Sequence, residues 1–199
     1  LILIDLGEGK NRLGGSCLAQ VYNQLGSKGP DLDNPERFKN FFNAIQELIS
    51  KNLVNSYHDR SDGGIFVTLT EMSIAGRIGC SINLDKLINQ KGSQESILEV
   101  LFNEELGAVI EVSNDKLKLV ESILKTFDLL DISHIIGKTK DERSILFNYE
   151  QEVIYENSIK DLNRKWSELS FKMQSIRDNP SCAKQAYDLL LDEEYNGIQ

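Results

Sequence analysis

The densest run of side chains able to do chemistry is His58-Asp59-Arg60-Ser61-Asp62-Gly63-Gly64, set between an apolar stretch and an apolar helix-like segment. Asp59 or Asp62 can offer a carboxylate oxygen to Mg²⁺, a hard cation that prefers oxygen ligands. Ser61 can donate to a phosphate oxygen, and Gly63 and Gly64 let backbone approach a ligand with no Cβ in the way. His58, next to carboxylates, has the parts of a general base. No nucleophile accompanies it, so a strand-end histidine bonded to backbone is the simpler reading.

A second glycine-bearing stretch runs from Gly7 to Ser16. It fails the dinucleotide fingerprint because Arg12 stands at the third glycine position. It fails the Walker pattern because Asn11 follows Gly9-Lys10 and Ile4 stands where the first glycine belongs. What remains is Gly14-Gly15-Ser16 at a helix start, where free N–H groups and the helix dipole favour an anion, with Lys10 and Arg12 nearby. The same residues read equally as a tight turn with an ordinary N-cap. In Phe102-Asn103-Glu104-Glu105-Leu106-Gly107-Ala108 the two adjacent acids must diverge, which suits a solvated turn or a structural salt bridge better than acid–base work. Cys17, Cys80 and Trp166 read as packing residues.

Hydrophobic periodicity supplies the elements that carry these loops. A buried strand is expected over 1–6, followed by a helix capped by Ser16 and closed by Gly26. Pro35 opens the strongest helix, with apolar residues at three- and four-residue spacing from Phe38 to Leu53. A strand over 54–57 leads into the His58 loop and a helix over 65–75 ended by Gly76. Then come a strand over 78–84, a polar loop with one helical turn over 85–96, a helix over 97–105, a strand over 108–112 and a helix capped by Asn114. Strands follow over 134–138, 144–148 and 152–155. Ser158 caps a long amphipathic helix stopped at Asn179-Pro180, and the acidic remainder reads as a linker. The expected class is an α/β (α+β) sandwich with a mixed sheet and helices. Residues 1–156 are expected to form the α/β domain and 157–199 a helical extension and linker.

A formal charge of -9 argues against a nucleic-acid or anionic-membrane partner, because such a surface repels phosphate at long range. Any phosphate must be held locally. Cys17, Cys80 and Cys182 show neither a disulfide framework nor a zinc spacing, and read as reduced thiols in the cytoplasm. No stretch nears the roughly eighteen apolar residues of a membrane span. Leu1-Ile2-Leu3-Ile4 already resembles mid-strand sequence, so the chain is expected to be excised from a longer polypeptide.

Tyr57 to Gly64, followed by Thr68-Leu69-Thr70-Glu71-Met72, closely resembles the H-D-x-S-D-G-G loop and helix of phosphoribosylformylglycinamidine synthase. Leu13-Gly14-Gly15-Ser16 with Ala19-Gln20-Val21-Tyr22 upstream, Phe102 to Ala108 downstream, and Met173-Gln174 with Arg177-Asp178-Asn179-Pro180 near the end reinforce the likeness in the family's order.

The resemblance implies the last α/β domain of the synthetase core in the large single-chain form, joined to further synthetase and glutaminase domains. That enzyme converts formylglycinamide ribonucleotide, glutamine and ATP to formylglycinamidine ribonucleotide, ADP, phosphate and glutamate. By the same resemblance, Asp59 is a Mg²⁺ ligand and Ser61 a nucleotide contact at an auxiliary ATP/ADP site. Asp62, Gly63 and Gly64 flank them, and Gly14, Gly15 and Ser16 approach phosphate as in aminoimidazole ribonucleotide synthase. No catalytic residue falls in this piece, which is expected to be inactive alone and able to self-associate through surfaces its partner domains cover. The alternatives are another member of the same ATP-dependent superfamily and a non-catalytic scaffold domain.

Overall fold

The computed structural model describes residues 1–88 and 93–192. Strand β1 (Ile2–Asp5) lies inside a four-stranded antiparallel sheet with β2 (Ser56–Asp59), β4 (Gly107–Glu111) and β5 (Ser133–Ile135), in the order β2-β4-β1-β5. A second four-stranded sheet has the order β6-β3-β7-β8, from β3 (Gly79–Asn83), β6 (Gly137–Lys140), β7 (Ser144–Tyr149) and β8 (Glu152–Ser158). Only its β3–β7 pair is parallel, which makes this the mixed sheet of the expected sandwich.

Successive strand residues point to opposite faces, and the first sheet is covered on both. Ile2, Ile4, Ala108 and Ile110 pack with Phe41, Ile45 and Leu48 of α2 (Pro35–Ser50) and with Val120 and Leu124 of α5 (Leu117–Thr126). Leu3 and Val109 face the other way, into a core with Ile65 and Leu69 of α3 (Gly64–Gly76) and with Ile82 and Phe147 of the second sheet. Double coverage explains why Leu1 to Ile4 show no polar alternation. Helix α2 starts as its sequence demands, with Pro35 in the first turn and the Asn34 side chain accepting from the Arg37 N–H.

Several boundaries differ from the sequence reading. Helix α1 (Cys17–Val21) is capped by Ser16 but is only five residues long, buries none of them, and is followed by Asn23 at φ 52° rather than by Gly26. Val21 and Leu25 are exposed, so the apolar spacing had no core to face. Strand β2 begins two residues late and takes in His58 and Asp59. Helix α3 includes Gly76 and ends on Arg77, at φ 52°.

Helix α4 (Gln94–Phe102) is capped by Ser93, inside the stretch expected to be a loop, and stops before Asn103. Residues 89–92 of that stretch lie outside the described residues. The N-cap position of α5 is Lys116, without a side-chain cap, and not Asn114. The single strand expected over 134–138 is two strands in different sheets, β5 and β6, with buried Ile136 at the crossing. Past Asn179 the chain is not a linker but helix α7 (Pro180–Asp188), whose Tyr187 stacks on Phe171 of α6 (Ile159–Arg177) at 4.3 Å. Residues 193–199 lie outside the described residues.

Candidate functional site

Both glycine loops open from strands of the first sheet and close into helices at one end of it. Asp5, the last residue of β1, accepts the Gly7 N–H on Oδ1 at 3.1 Å and the Gly9 N–H on Oδ2 at 2.8 Å. Its Oδ1 also meets Arg60 Nη2 at 2.5 Å, with both side chains almost fully buried. Arg60 further donates to the carbonyls of Glu105 at 2.7 Å and Leu106 at 3.0 Å. The unspecified third residue of the H-D-x-S-D-G-G loop therefore ties that loop to the first one and to β4.

The acids of Phe102 to Ala108 divide as adjacent residues must. Glu105 has no exposed surface, and its two oxygens take Arg12 Nε at 2.6 Å and Nη2 at 2.7 Å. The same carboxylate accepts the Arg12 N–H at 3.0 Å. This bidentate, buried pair is the strong kind of ion pair, and removing one partner would leave the other charge stranded. Arg12 Nη2 also reaches Asp33 at 2.7 Å, and Lys10 meets Asp33 at 2.9 Å. The cations expected to draw an anion to the first loop are thus already neutralised by protein carboxylates.

Glu104 turns the other way. Its Oε1 accepts the N–H of Cys17, at the start of α1, and the N–H of Gly63, before α3, each at 2.8 Å. One oxygen thus joins the two loops. Gly63 and Gly64 are at φ 80° and 66°, and a Cβ on Gly64 would lie 2.6 Å from the carbonyl oxygens of Leu101 and Asn103. Glycine is required there by packing and backbone conformation alike.

The amides of Gly14, Gly15 and Ser16 donate to the carbonyls of Lys28 at 2.8 Å, Leu25 at 2.8 Å and Leu13 at 3.2 Å. In the second loop the Ser61 carbonyl accepts the Gly64 N–H at 2.9 Å, while Asp62 is exposed. Asp59 pairs with Ala108 in the sheet and leaves its carboxylate two-thirds exposed, 3.8 Å from His58 Nδ1. One exposed carboxylate suits Mg²⁺, which takes one or two carboxylates and completes its shell with water and phosphate oxygens.

Cys17 is half-buried beside Glu104 and Asp62 rather than on an apolar helix face. Burial pushes its thiol up from the usual range, and the Glu104 charge pushes the same way. Cys80 is a core residue as expected, its thiol also raised by burial.

His58 Nδ1 lies 2.7 Å from the Asp59 carbonyl, the backbone contact expected of it, and Nε2 lies 3.0 Å from Glu71. Trp166 Nε1–H donates to the other Glu71 oxygen at 2.9 Å, with more than half of the Trp166 side chain exposed, so it is not a packing residue here. These three groups stand at the rim of a largely apolar groove of about 630 Å³. A smaller, polar cleft of about 240 Å³ is lined by Asp5, Arg37, Arg60, Lys86 and His134, among others.

The fold therefore brings Ser16–Cys17 together with Asp62–Gly63, and leaves the Asp59 carboxylate exposed at the end of β2 and Ser61 half-buried in the loop. Arg12, Arg60, Glu104 and Glu105 do the joining and were missed as a set. The available signal was charge lying inside glycine loops and beside the apolar runs Ile2 to Ile4 and Ala108 to Ile110.

The family described as AIR synthase related protein, C-terminal domain, matches residues 1–148. Among solved structures, Thermotoga maritima PurL complexed with FGAR is 18% identical, with a TM-score of 0.59 over 81% of this chain and 27% of that one. T. maritima PurL complexed with ATP is 20% identical, with a TM-score of 0.56 over 80% and 25%. PurLQS from Thermotoga maritima is 17% identical, with a TM-score of 0.58 over 79% and 24%. The chain spans about a quarter of the length of these matched chains, and the likeness establishes the fold. Among the described residues, no helix is long and apolar enough to cross a membrane.

Proposed function

The chain belongs to the AIR synthase related protein C-terminal domain family, and on that premise we propose that it is part of a phosphoribosylformylglycinamidine synthase of the large single-chain form. In this reading it contributes one wall of an auxiliary Mg²⁺–nucleotide site, with Asp59 as metal ligand and Ser61 as phosphate contact. The remaining synthetase domains supply the opposite wall, and the glutaminase domain supplies ammonia. The whole enzyme converts formylglycinamide ribonucleotide, glutamine and ATP to formylglycinamidine ribonucleotide, ADP, phosphate and glutamate.

One observation carries the reading. The Glu104 carboxylate locks the two loops together through Cys17 and Gly63, yet the carboxylates able to bind Mg²⁺, Asp59 and Asp62, remain exposed and Ser61 is only half-buried. A pinned loop with an exposed carboxylate and a half-buried hydroxyl suits a site completed by another domain, since preorganised groups need no ordering when the ligand arrives. The PurL structures with ATP and with FGAR are consistent with this reading.

The test compares this chain with a longer protein that includes the flanking domains. ADP and glutamate should form, dependent on formylglycinamide ribonucleotide, only in the longer protein. Failure of the longer protein with these substrates would point to another superfamily member.

A scaffold reading has its own support, because the amides of Gly14 to Ser16 donate internally and Gly63 and Gly64 are explained by packing. It predicts that Asp59→Ala leaves nucleotide binding unchanged.

A further inference from the structure

We propose that Cys17, Asp62 and Glu104 form a binding site for a thiophilic divalent cation, with Zn²⁺ the best fit, separate from Asp59. The Cys17 Sγ and one oxygen from each carboxylate all lie within 4.8 Å of one another. Ligands about 2.0–2.3 Å from a tetrahedral metal sit roughly 3.3–3.8 Å apart, so small side-chain rotations close the set.

The three residues come from three segments: the first residue of α1, the loop before α3, and the turn before β4. Their relative placement is not left to chance. The Glu104 Oε1 bonds to the Cys17 and Gly63 amides pin all three segments together, and the same carboxylate meets the Cys17 thiol. Because no two ligands are close in sequence, the set carries none of the spacing by which zinc sites are read from a sequence.

Electrostatics point the same way. Two carboxylates and a thiol converge, and the basic side chains of the two loops are engaged elsewhere: Lys10 with Asp33, Arg12 with Asp33 and Glu105, Arg60 with Asp5. The Asp62 carboxylate accepts no hydrogen bond from any described residue. The helix starts at Cys17 and Gly64 offset part of this charge, but their amide bonds use only one Glu104 oxygen.

One sulfur with two oxygens selects a borderline-soft cation over Mg²⁺, and a fourth position stays open to water or a ligand. On binding, a metal–sulfur bond forms, the Cys17 thiol proton leaves to solvent, and no oxidation state changes.

The proposal does not rest on the nucleotide reading, and its test uses metal alone. Co²⁺, a spectroscopic substitute for Zn²⁺, is titrated into the 199-residue chain while thiolate-to-metal charge-transfer absorption is followed. We expect one saturating band that Zn²⁺ abolishes by competition. Cys17→Ala and the near-isosteric Cys17→Ser should remove it, Cys182→Ala should leave it intact, and Asp62→Asn should weaken binding by at least roughly tenfold. Asp62 is exposed, so that variant keeps its fold, which circular dichroism verifies. A band that persists in Cys17→Ser, an Asp62→Asn variant that binds as tightly as the parent, or no band at metal excess would each overturn the proposal.

Discussion

The two glycine loops begin alike, each leaving a strand of the same sheet and entering a helix, and they end as different objects. In the first, from Gly7 to Ser16, Arg12 and Lys10 are paired and the amides of Gly14, Gly15 and Ser16 donate inward. In the second, from His58 to Gly64, the inward work falls to Arg60 and the Gly63 amide, while Asp59 and Asp62 stay exposed. Glycine content does not separate them. Paired arginines do not separate them either, since Arg12 meets Glu105 and Arg60 meets Asp5; the separation is that the second loop also carries carboxylates, Asp59 and Asp62, that its own fold leaves exposed.

If the first loop is scaffolding, breaking its buried pair should cost the most. Glu105→Ala strands Arg12 beside β4, and we expect about 3–5 kcal/mol of lost stability in denaturant unfolding. A loss below about 1 kcal/mol would remove the basis for calling that loop structural. Next in size is Gly64→Ala, which forces a side chain to a positive φ against two carbonyl oxygens; about 2–3 kcal/mol is expected. Glu104→Ala, which leaves the Cys17 and Gly63 amides without their acceptor, should cost about 1–3 kcal/mol, with Glu104→Gln recovering most of it. Full recovery by Gln would separate the capping role of Glu104 from any role that needs its charge.

The sequence made the sheet strands and long helices legible because their burial is periodic and their caps are local. Asn34, Ser158 and Pro35 all act as their residue types dictate. It misled where the deciding partner lay far along the chain. Val21 and Leu25 have helical spacing but no core opposite them, and a single apolar run over 134–138 gives no sign that it divides between two sheets. The site was half legible for the same reason. Asp59, Ser61 and the glycines stand together in one motif, whereas Arg12 and Glu105 are separated by 93 residues and Glu104 and Cys17 by 87. Charged residues beside apolar strands signal that a buried partner is needed but not which one it is.

A smaller effect tests the rim of the first loop. Hydrogen bonds from Lys10 and then Arg12 hold the Asp33 carboxyl below its ordinary value of 3.8. A group depressed in the folded state stabilises the fold above its unfolded pKa, and that contribution is lost as pH falls through the folded value. The parent should therefore lose stability below about pH 4 slightly more steeply than Asp33→Asn, with melting followed against pH. Asp33 is exposed to solvent, so the difference should be small, and parallel curves would show that Arg12 is held by Glu105 alone.

The smallest effect on the chain itself is the sharpest test of the contrast. Asp59 exposes most of its side chain, and apart from a 3.8 Å contact with His58 its ties are through backbone, so Asp59→Ala should change unfolding of the 199-residue chain by no more than about 0.5 kcal/mol. In the longer protein the same substitution should matter only when nucleotide is present. A ligand that binds the folded state alone adds about 2.7 kcal/mol at roughly a hundredfold excess over its Kd, and Asp59→Ala should erase most of that increment with Mg²⁺–ATP. If the increment survives, the second loop is as much a scaffold as the first. If the variant instead unfolds the chain without nucleotide, Asp59 belongs with Glu105 among the residues that hold the sheet end together.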